Sequence, residues 1–471
     1  MGISRRKFLK EVSVIGVGIA AKTNLIAQLS APNQPNQISQ LNQPDKPNKP
    51  DQLNKPINSI IYRSVNGSPA ENIIKVIESM GGIERLIGFE DVVVIKPNAQ
   101  WWNQGAPNLS ALNQLINLIL NQPSFQGEVI LAENCHRGSH PGTSLNSGWV
   151  HDFEWNADIQ GIRNLNALGS DLQKKYGDRF SVCHWIDVGS GGKKVSGPKD
   201  GTGYVYCDGT GGVPLISCDN GLEGKDRRET IMTYPIFKTD KGTIVDFKNG
   251  IWEKGAYTRQ PIRFINLAAL NHHSTYCGMT SAIKNYMGIT DLSGGPDPFH
   301  DGKLIGNYYN FHSFPFNKWA PGPEPGMLGK EIGTFMKTIR QADLNIITAE
   351  WVGLALRTEP PVAHTRAILA STDPAALDYH AAKYLLFPNS KISIHNPADK
   401  KGPLNAYLSA CANSGGSAGN EANAQVISYD CKTGRFQKED DDWKIPGKII
   451  WGTNPKAMLK YWMLRVISLV S

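Results

Sequence analysis

Apolar residues along this chain fall into two rhythms. Short continuous runs come first: VVVI at 92–95, VILA at 129–132, INLAAL at 265–270, LNIIT at 344–348 and AILA at 367–370. Runs this nearly continuous in apolar residues suit strands buried on both faces. Between them lie stretches with helical spacing, such as SPAENIIKVIESMGG at 68–82, NLSALNQLINLILN at 108–121 and AALDYHAAKYLL at 375–386. The first carries its own punctuation: Ser68 as N-cap, Pro69 at the first helical position, Gly81-Gly82 as the stop. Alternation of the two rhythms predicts an α/β fold, a mainly parallel sheet with helices on both faces.

The rhythm breaks in three places. Between about 150 and 260 the chain turns rich in Gly, Asp and Lys with short β-like pieces, as in GSGGKKVSGPKDGTGYVYCDGTGGVP, and this predicts a β-containing insertion. Residues 31–57 are almost all Pro, Asn, Gln and Lys, cannot bury a core, and are expected to form an extended linker. Residues 291–330, crowded with Gly, Pro and aromatic residues, are expected to form a long loop of the kind usually kept for function. The expected organisation is therefore a terminal segment 1–30, the linker 31–57, a core 58–400 with its insertion, and an extension 401–471. The extension ends in a short amphipathic helix, KAMLKYWMLRVISLVS, too short to cross a bilayer. Docking onto the domain is its favoured role, and contact with a membrane surface the alternative.

The first thirty residues change the picture of charge and place. Ser4-Arg5-Arg6-Lys7-Phe8-Leu9-Lys10 precedes a weakly apolar stretch from Val12 to Ala21, the pattern of a twin-arginine export signal. It predicts an extracytoplasmic, periplasmic protein whose first partner is the twin-arginine translocation machinery. The segment holds Arg5, Arg6, Lys7, Lys10 and Lys22 against Glu11, a net +4 of the chain's +7, which leaves +3 for the rest. That near balance, without a basic stripe, gives no support for nucleic-acid binding. Of seven cysteines none forms a Cys-x-x-Cys pair, so no iron–sulfur cluster is expected. Export would permit disulfides, with Cys207/Cys218 and Cys411/Cys431 as candidate pairs.

Candidate chemistry gathers behind the apolar runs. In open parallel sheets ligands bind beyond the carboxyl ends of the strands. Lys96, Pro97 and Asn98 follow VVVI. Glu133, Asn134, Cys135 and His136 follow VILA, and Asn271, His272 and His273 follow INLAAL. Glu350 and Trp351 follow LNIIT, and Ser371, Thr372 and Asp373 follow AILA. Five neighbouring parallel strands would pool these into one polar basin. Asp373-Pro374 reads first as a helix N-cap, and Asp378 as an exposed helix carboxylate. If a helix opens at Gly278-Met279, Thr280 and Lys284 share a face four residues apart, and the free N–H groups of its first turn favour an anion. The expected catalytic residues are Lys284, His272 and His273. The expected ligand-binding residues are Lys96, Asn98, Thr280, Asn285 and Asp373. A single metal ion is the candidate cofactor, with Glu133, His136, His272 and His273 as its ligands.

VVVIKPN, INLAALNHHSTYCGMTSAIKNYMG and AILASTDPAALDYHAAKYL, in that order, resemble the domain of unknown function 362 family, from about Ser68 to Leu386 with an expanded middle. The resemblance implies an α/β core with the Lys284-Asn285 helix at its site, and no particular activity. Two departures stand out. The family's pattern has a lysine two before the histidine of the middle motif, where this chain has Asn271-His272-His273. The ferredoxin-like cysteines of some relatives are also missing. The residues point to an exported enzyme acting on a small anionic substrate; the alternative is a non-catalytic extracytoplasmic binding protein for a small anion or metal.

Overall fold

Eight strands and seven helices, with further short pieces, build the part of the computed structural model that positions the site. It describes residues 59–470 apart from 135–146, 220, 222, 224–228, 274–276, 293–298, 301–302, 305–310, 312–325, 417–423 and 439–440. The segments expected to be an export signal and a linker, Cys135, His136 and most of residues 291–330 therefore lie outside the described residues.

The main sheet comprises β1 (Ile60–Val65), β2 (Val92–Pro97), β3 (Glu128–Asn134), β4 (Phe180–Trp185), β5 (Ile262–His272), β6 (Leu344–Gly353), β7 (Val362–Ser371) and β8 (Gln425–Asp430). Their order across the sheet is 8-1-7-6-5-2-3-4. The five strands β6, β5, β2, β3 and β4 are parallel neighbours. β7 runs antiparallel to both β6 and β1. With antiparallel additions at Met279–Thr280, Arg435–Phe436 and Lys448–Ile450, the sheet is mixed, not mainly parallel as the apolar runs suggested. The cause lies in a connection. Only residues 354–361 separate β6 from β7, too few for a crossover, so the chain folds straight back.

Alternation within strands sorts the core. Val92 and Val94 of β2 and Ile130 and Ala132 of β3 enter one apolar cluster, whereas Val93, Ile95, Val129 and Leu131 enter the other. α1 (Pro69–Ser79), α2 (Leu109–Leu120) and α3 (Leu165–Tyr176) cover the second face. α1 starts as its sequence predicts, with Ser68 and Glu71 in a reciprocal capping box. The first face is covered by α4 (Ala282–Asn285), α5 (Met327–Thr338), α6 (Pro374–Ala381) and α7 (Pro403–Cys411).

The insertion forms a separate six-stranded sheet between Lys194 and Tyr257. It begins later than its composition suggested, because residues 165–185 supply α3 and the edge strand β4. Trp185 of β4 meets Phe237 and Phe247 of the insertion with ring centroids 5.5 and 5.9 Å apart. The extension after residue 400 adds β8 to the main sheet beside β1. Cys207 and Cys218 are not bonded to each other, nor are Cys411 and Cys431, so neither candidate disulfide forms. Cys411 closes α7 in the core, while Cys431 lies beside Ser64 and Asn72 at the sheet's far side.

Candidate functional site

The five parallel strands end on one edge, and two adjoining clefts open there. The inner cleft, about 40 Å³, is lined by Asn98, Glu133, Asn271, His273, Thr280, Lys284 and Asn285, with Gln100, Trp101, Gly288 and Arg357 among the remaining walls. The outer cleft, about 450 Å³, shares Trp101, His273 and Arg357 with it and adds His272, Thr358, Glu359, Lys460 and Leu464.

Behind the inner cleft sits a buried ion pair. β2 and β3 are adjacent, and Lys96 near the end of one meets Glu133 near the end of the other. Lys96 also donates to Asn285 Oδ1 at 2.6 Å and to the Pro97 carbonyl at 3.0 Å. Lys96 is wholly buried and does not line the cleft, whereas Glu133 does. Burial pushes the Glu133 carboxyl up to about 7 despite the neighbouring ammonium, and pushes Lys96 down. Close approach of the chain makes the pair fit: a Cβ on Gly288 would stand within 3 Å of both Glu133 Oε1 and Lys96 Nζ. Asn285, expected to bind ligand, is largely committed to the fold. Its Nδ2 lies 2.8 Å from Asn266 Oδ1, 3.1 Å from the Leu267 carbonyl and 3.2 Å from the Lys96 carbonyl, tying α4 to β2 and β5.

α4 departs from its expected form. No helix opens at Gly278; the chain reverses instead, and Met279–Thr280 pairs antiparallel with Asn271-His272. Gly278 takes φ +71° at this turn, and a Cβ there would stand 2.5 Å from the Ile394 carbonyl. The helix that follows has four residues. The N–H groups of Ala282 and Ile283 are taken by Asp378 at 2.9 and 3.0 Å. Asp378 is thus a buried cap rather than an exposed carboxylate, and burial raises it to about 7. Backbone attraction for an anion is lost, but Thr280 and Lys284 still line the inner cleft.

Lys284 carries the site's electrostatics. Its side chain is buried, and among the described residues its ammonium has no hydrogen-bond or ion-pair partner. Burial drives it down to about 8; Cys277 opposes this and Arg357 adds to it. Arg357 lies over the Trp101 ring at 5.2 Å. Arg357, six residues beyond Trp351, was not among the expected site residues. A basic residue in the short loop closing two long apolar runs was the available signal.

The two histidines divide. His272 Nδ1 lies 2.8 Å from His395 Nε2, whose Nδ1 lies 2.7 Å from Ser390 Oγ. Burial holds His395 down to about 3 and His272 well below its ordinary value, His395 adding to the latter. A neutral His272 facing the outer cleft is a poor base near pH 7. His273 lines both clefts, with Cys277 Sγ 3.6 Å from its Nδ1. Asp373 is placed elsewhere. β7 is antiparallel, so its carboxyl end lies on the opposite edge, beside Asn345 at the start of β6. There Asp373 caps α6 through Ala375 and Ala376 and accepts from Ser59 Oγ at 2.6 Å.

For the metal, Glu133 is held by Lys96, His272 by His395, and His136 lies outside the described residues. Among the described residues no three His, Cys, Asp or Glu side chains surround one point. Residues 261–383 match the family model described as Domain of unknown function (DUF362), a span that includes His272, His273, Lys284 and Arg357 but neither Lys96 nor Glu133. No curated protein and no solved structure matches the chain.

Proposed function

We propose that the protein is an exported enzyme that binds a small anionic substrate at this edge of the sheet and transfers protons to or from it. The observation that carries the reading is Lys284, a buried cation without an ion-pair partner among the described residues, set in the wall of a cleft. Placing a charge there costs free energy unless a ligand supplies the counter-charge. Lys284 and Arg357 hold the anion, with Asn98, Asn271 and Thr280 offering hydrogen bonds. The inner cleft suits a single carboxylate or phosphate group, and the outer one the remaining body of the molecule.

Chemistry rather than mere holding is favoured by the pairing of groups. Glu133 near 7 and Lys284 near 8 both exchange protons close to neutrality on the walls of one cleft. His273, between the clefts, is the histidine suited to act as base. A binding protein would need Lys284 but not a carboxyl poised near 7. The test is to recover native protein from its own compartment and identify small molecules and metals that accompany it. Conversion of the recovered anion by fresh protein is the expected result. Quantitative return of the unchanged molecule after prolonged incubation would leave the binding protein. A stoichiometric metal would restore the ion that Glu133, His136, His272 and His273 were expected to hold.

Export is part of the same reading. The twin-arginine pathway reads the arginine pair itself, so Arg5→Lys with Arg6→Lys should abolish translocation while leaving the folded domain intact in the cytoplasm. Undiminished periplasmic accumulation of that variant would contradict the localisation.

A further inference from the structure

The last helix, α8 (Pro455–Val470), has two apolar sides and one visible partner. One side seats on the protein. Ala457 and Tyr461 are buried, Tyr461 donates to the Ser390 carbonyl at 3.3 Å, and Ser468 Oγ accepts from Ser393 N at 2.8 Å. The other side carries Leu459, Trp462, Met463, Val466 and Ile467, all 52–61% exposed. At 3.6 residues per turn these five fall in an arc of about 140°. Trp451, 47% exposed, stacks on Trp462 with planes 2° apart and centroids 6.2 Å apart, which extends the patch beyond the helix. Contiguous exposed apolar surface of this kind marks an interaction site.

We infer that α8 is an interfacial helix that docks the protein on an anionic lipid bilayer. Charge selects this occupant. From residue 443 onward the chain has Lys444, Lys448, Lys456, Lys460 and Arg465 and no acidic residue. Lys460 lies on one margin of the apolar arc and Lys456 within it near the helix start, both exposed, where headgroups meet a helix lying in the interface plane, while Arg465 on the other margin donates to the Ser390 and Lys391 carbonyls. Tryptophan at the rim suits the same depth. A second copy of the chain is disfavoured by the same charges, since a twofold contact would set each cationic margin against its own kind. Among the described residues no helix is long and apolar enough to cross a bilayer, and the sixteen residues of α8 reach about 24 Å. Lys460 and Leu464 also wall the outer cleft, so docking sets the cleft mouth beside the headgroups.

Vesicle flotation of the full exported chain tests this. Vesicles of equal parts phosphatidylglycerol and phosphatidylcholine should carry the protein upward, with Trp fluorescence shifting to the blue. Pure phosphatidylcholine should carry much less, and high salt should weaken the binding. The variant Leu459→Ser/Val466→Ser/Ile467→Ser should partition at least about tenfold more weakly, with unchanged thermal unfolding because all three side chains already face water. Absence of flotation on the anionic vesicles overturns the inference, and equal binding to both vesicle types overturns the charge argument. A dimer by light scattering that the triple variant converts to monomer would assign the face to a second copy.

Discussion

Replacing Lys284 with methionine should make the protein more stable and less able to bind its ligand. The side chain keeps its aliphatic length in a buried site and loses a charge that has no ion-pair partner among the described residues. Displacement of the ammonium from 10.5 to about 8 corresponds to about 3 kcal/mol held against the fold at neutral pH. Between those two values the unfolded chain keeps a proton that the folded protein releases. Wild-type stability should therefore gain from this group as pH rises through about 8 to 10.5, and Lys284→Met should lack that gain. Affinity for a bound anion should fall by roughly 1.5–3 kcal/mol, the range for a charge-assisted hydrogen bond. Urea unfolding across pH, paired with calorimetric titration, reads both effects. A destabilised variant with full affinity would make Lys284 a structural lysine.

Lys96→Met should act in the opposite sense. Removing the ammonium strands Glu133 in the interior and takes a donor from Asn285 Oδ1, and breaking a buried pair costs roughly 3–5 kcal/mol. The loss should depend on pH. Without Lys96 the Glu133 carboxyl rises above its present value of about 7, so the folded state binds its proton more tightly than the unfolded chain. The stability of the variant is then greatest below the ordinary carboxyl range and falls as pH rises through the new value. Adding Glu133→Leu should recover most of the loss, because the stranded charge goes with it. Equal urea midpoints for wild type and Lys96→Met near pH 8 would show that the pair contributes nothing.

The edge on which these residues meet could be read from the strands because β2, β3, β5 and β6 are buried on both faces and so appear as apolar runs, broken in β5 and β6 only by the buried, mutually bonded Asn266 and Asn345 and by Thr348. Their polar followers Lys96, Glu133 and Asn271 announced where ligand chemistry would collect. β7 has the same apolar texture, and texture does not record direction. Its reversal after a short loop therefore sent Asp373 to the far edge. Lys284 was legible as a lone lysine in an apolar helix, but its surroundings were not. The turn at Gly278 and the capping of α4 by Asp378 both depend on partners about a hundred residues away. Arg357 and Trp101 were not legible for a related reason, since each lies in a loop that only the closed sheet brings over the cleft. The amphipathic pattern of α8 was visible, but which of its apolar sides faces water depends on where the domain meets it.

The central claim is that the clefts at this edge form an anion site charged by Lys284. Its most direct test is the affinity of sulfate measured by calorimetry from about pH 6 to pH 10, a range in which sulfate keeps its charge. Binding should weaken in two steps, one near 7 as Glu133 ionises beside the anion and one near 8 as Lys284 loses its proton. Lys284→Met should bind more weakly at the acid end and lack the upper step. Sulfate affinity that is flat across this range, or unchanged by Lys284→Met, would contradict the account.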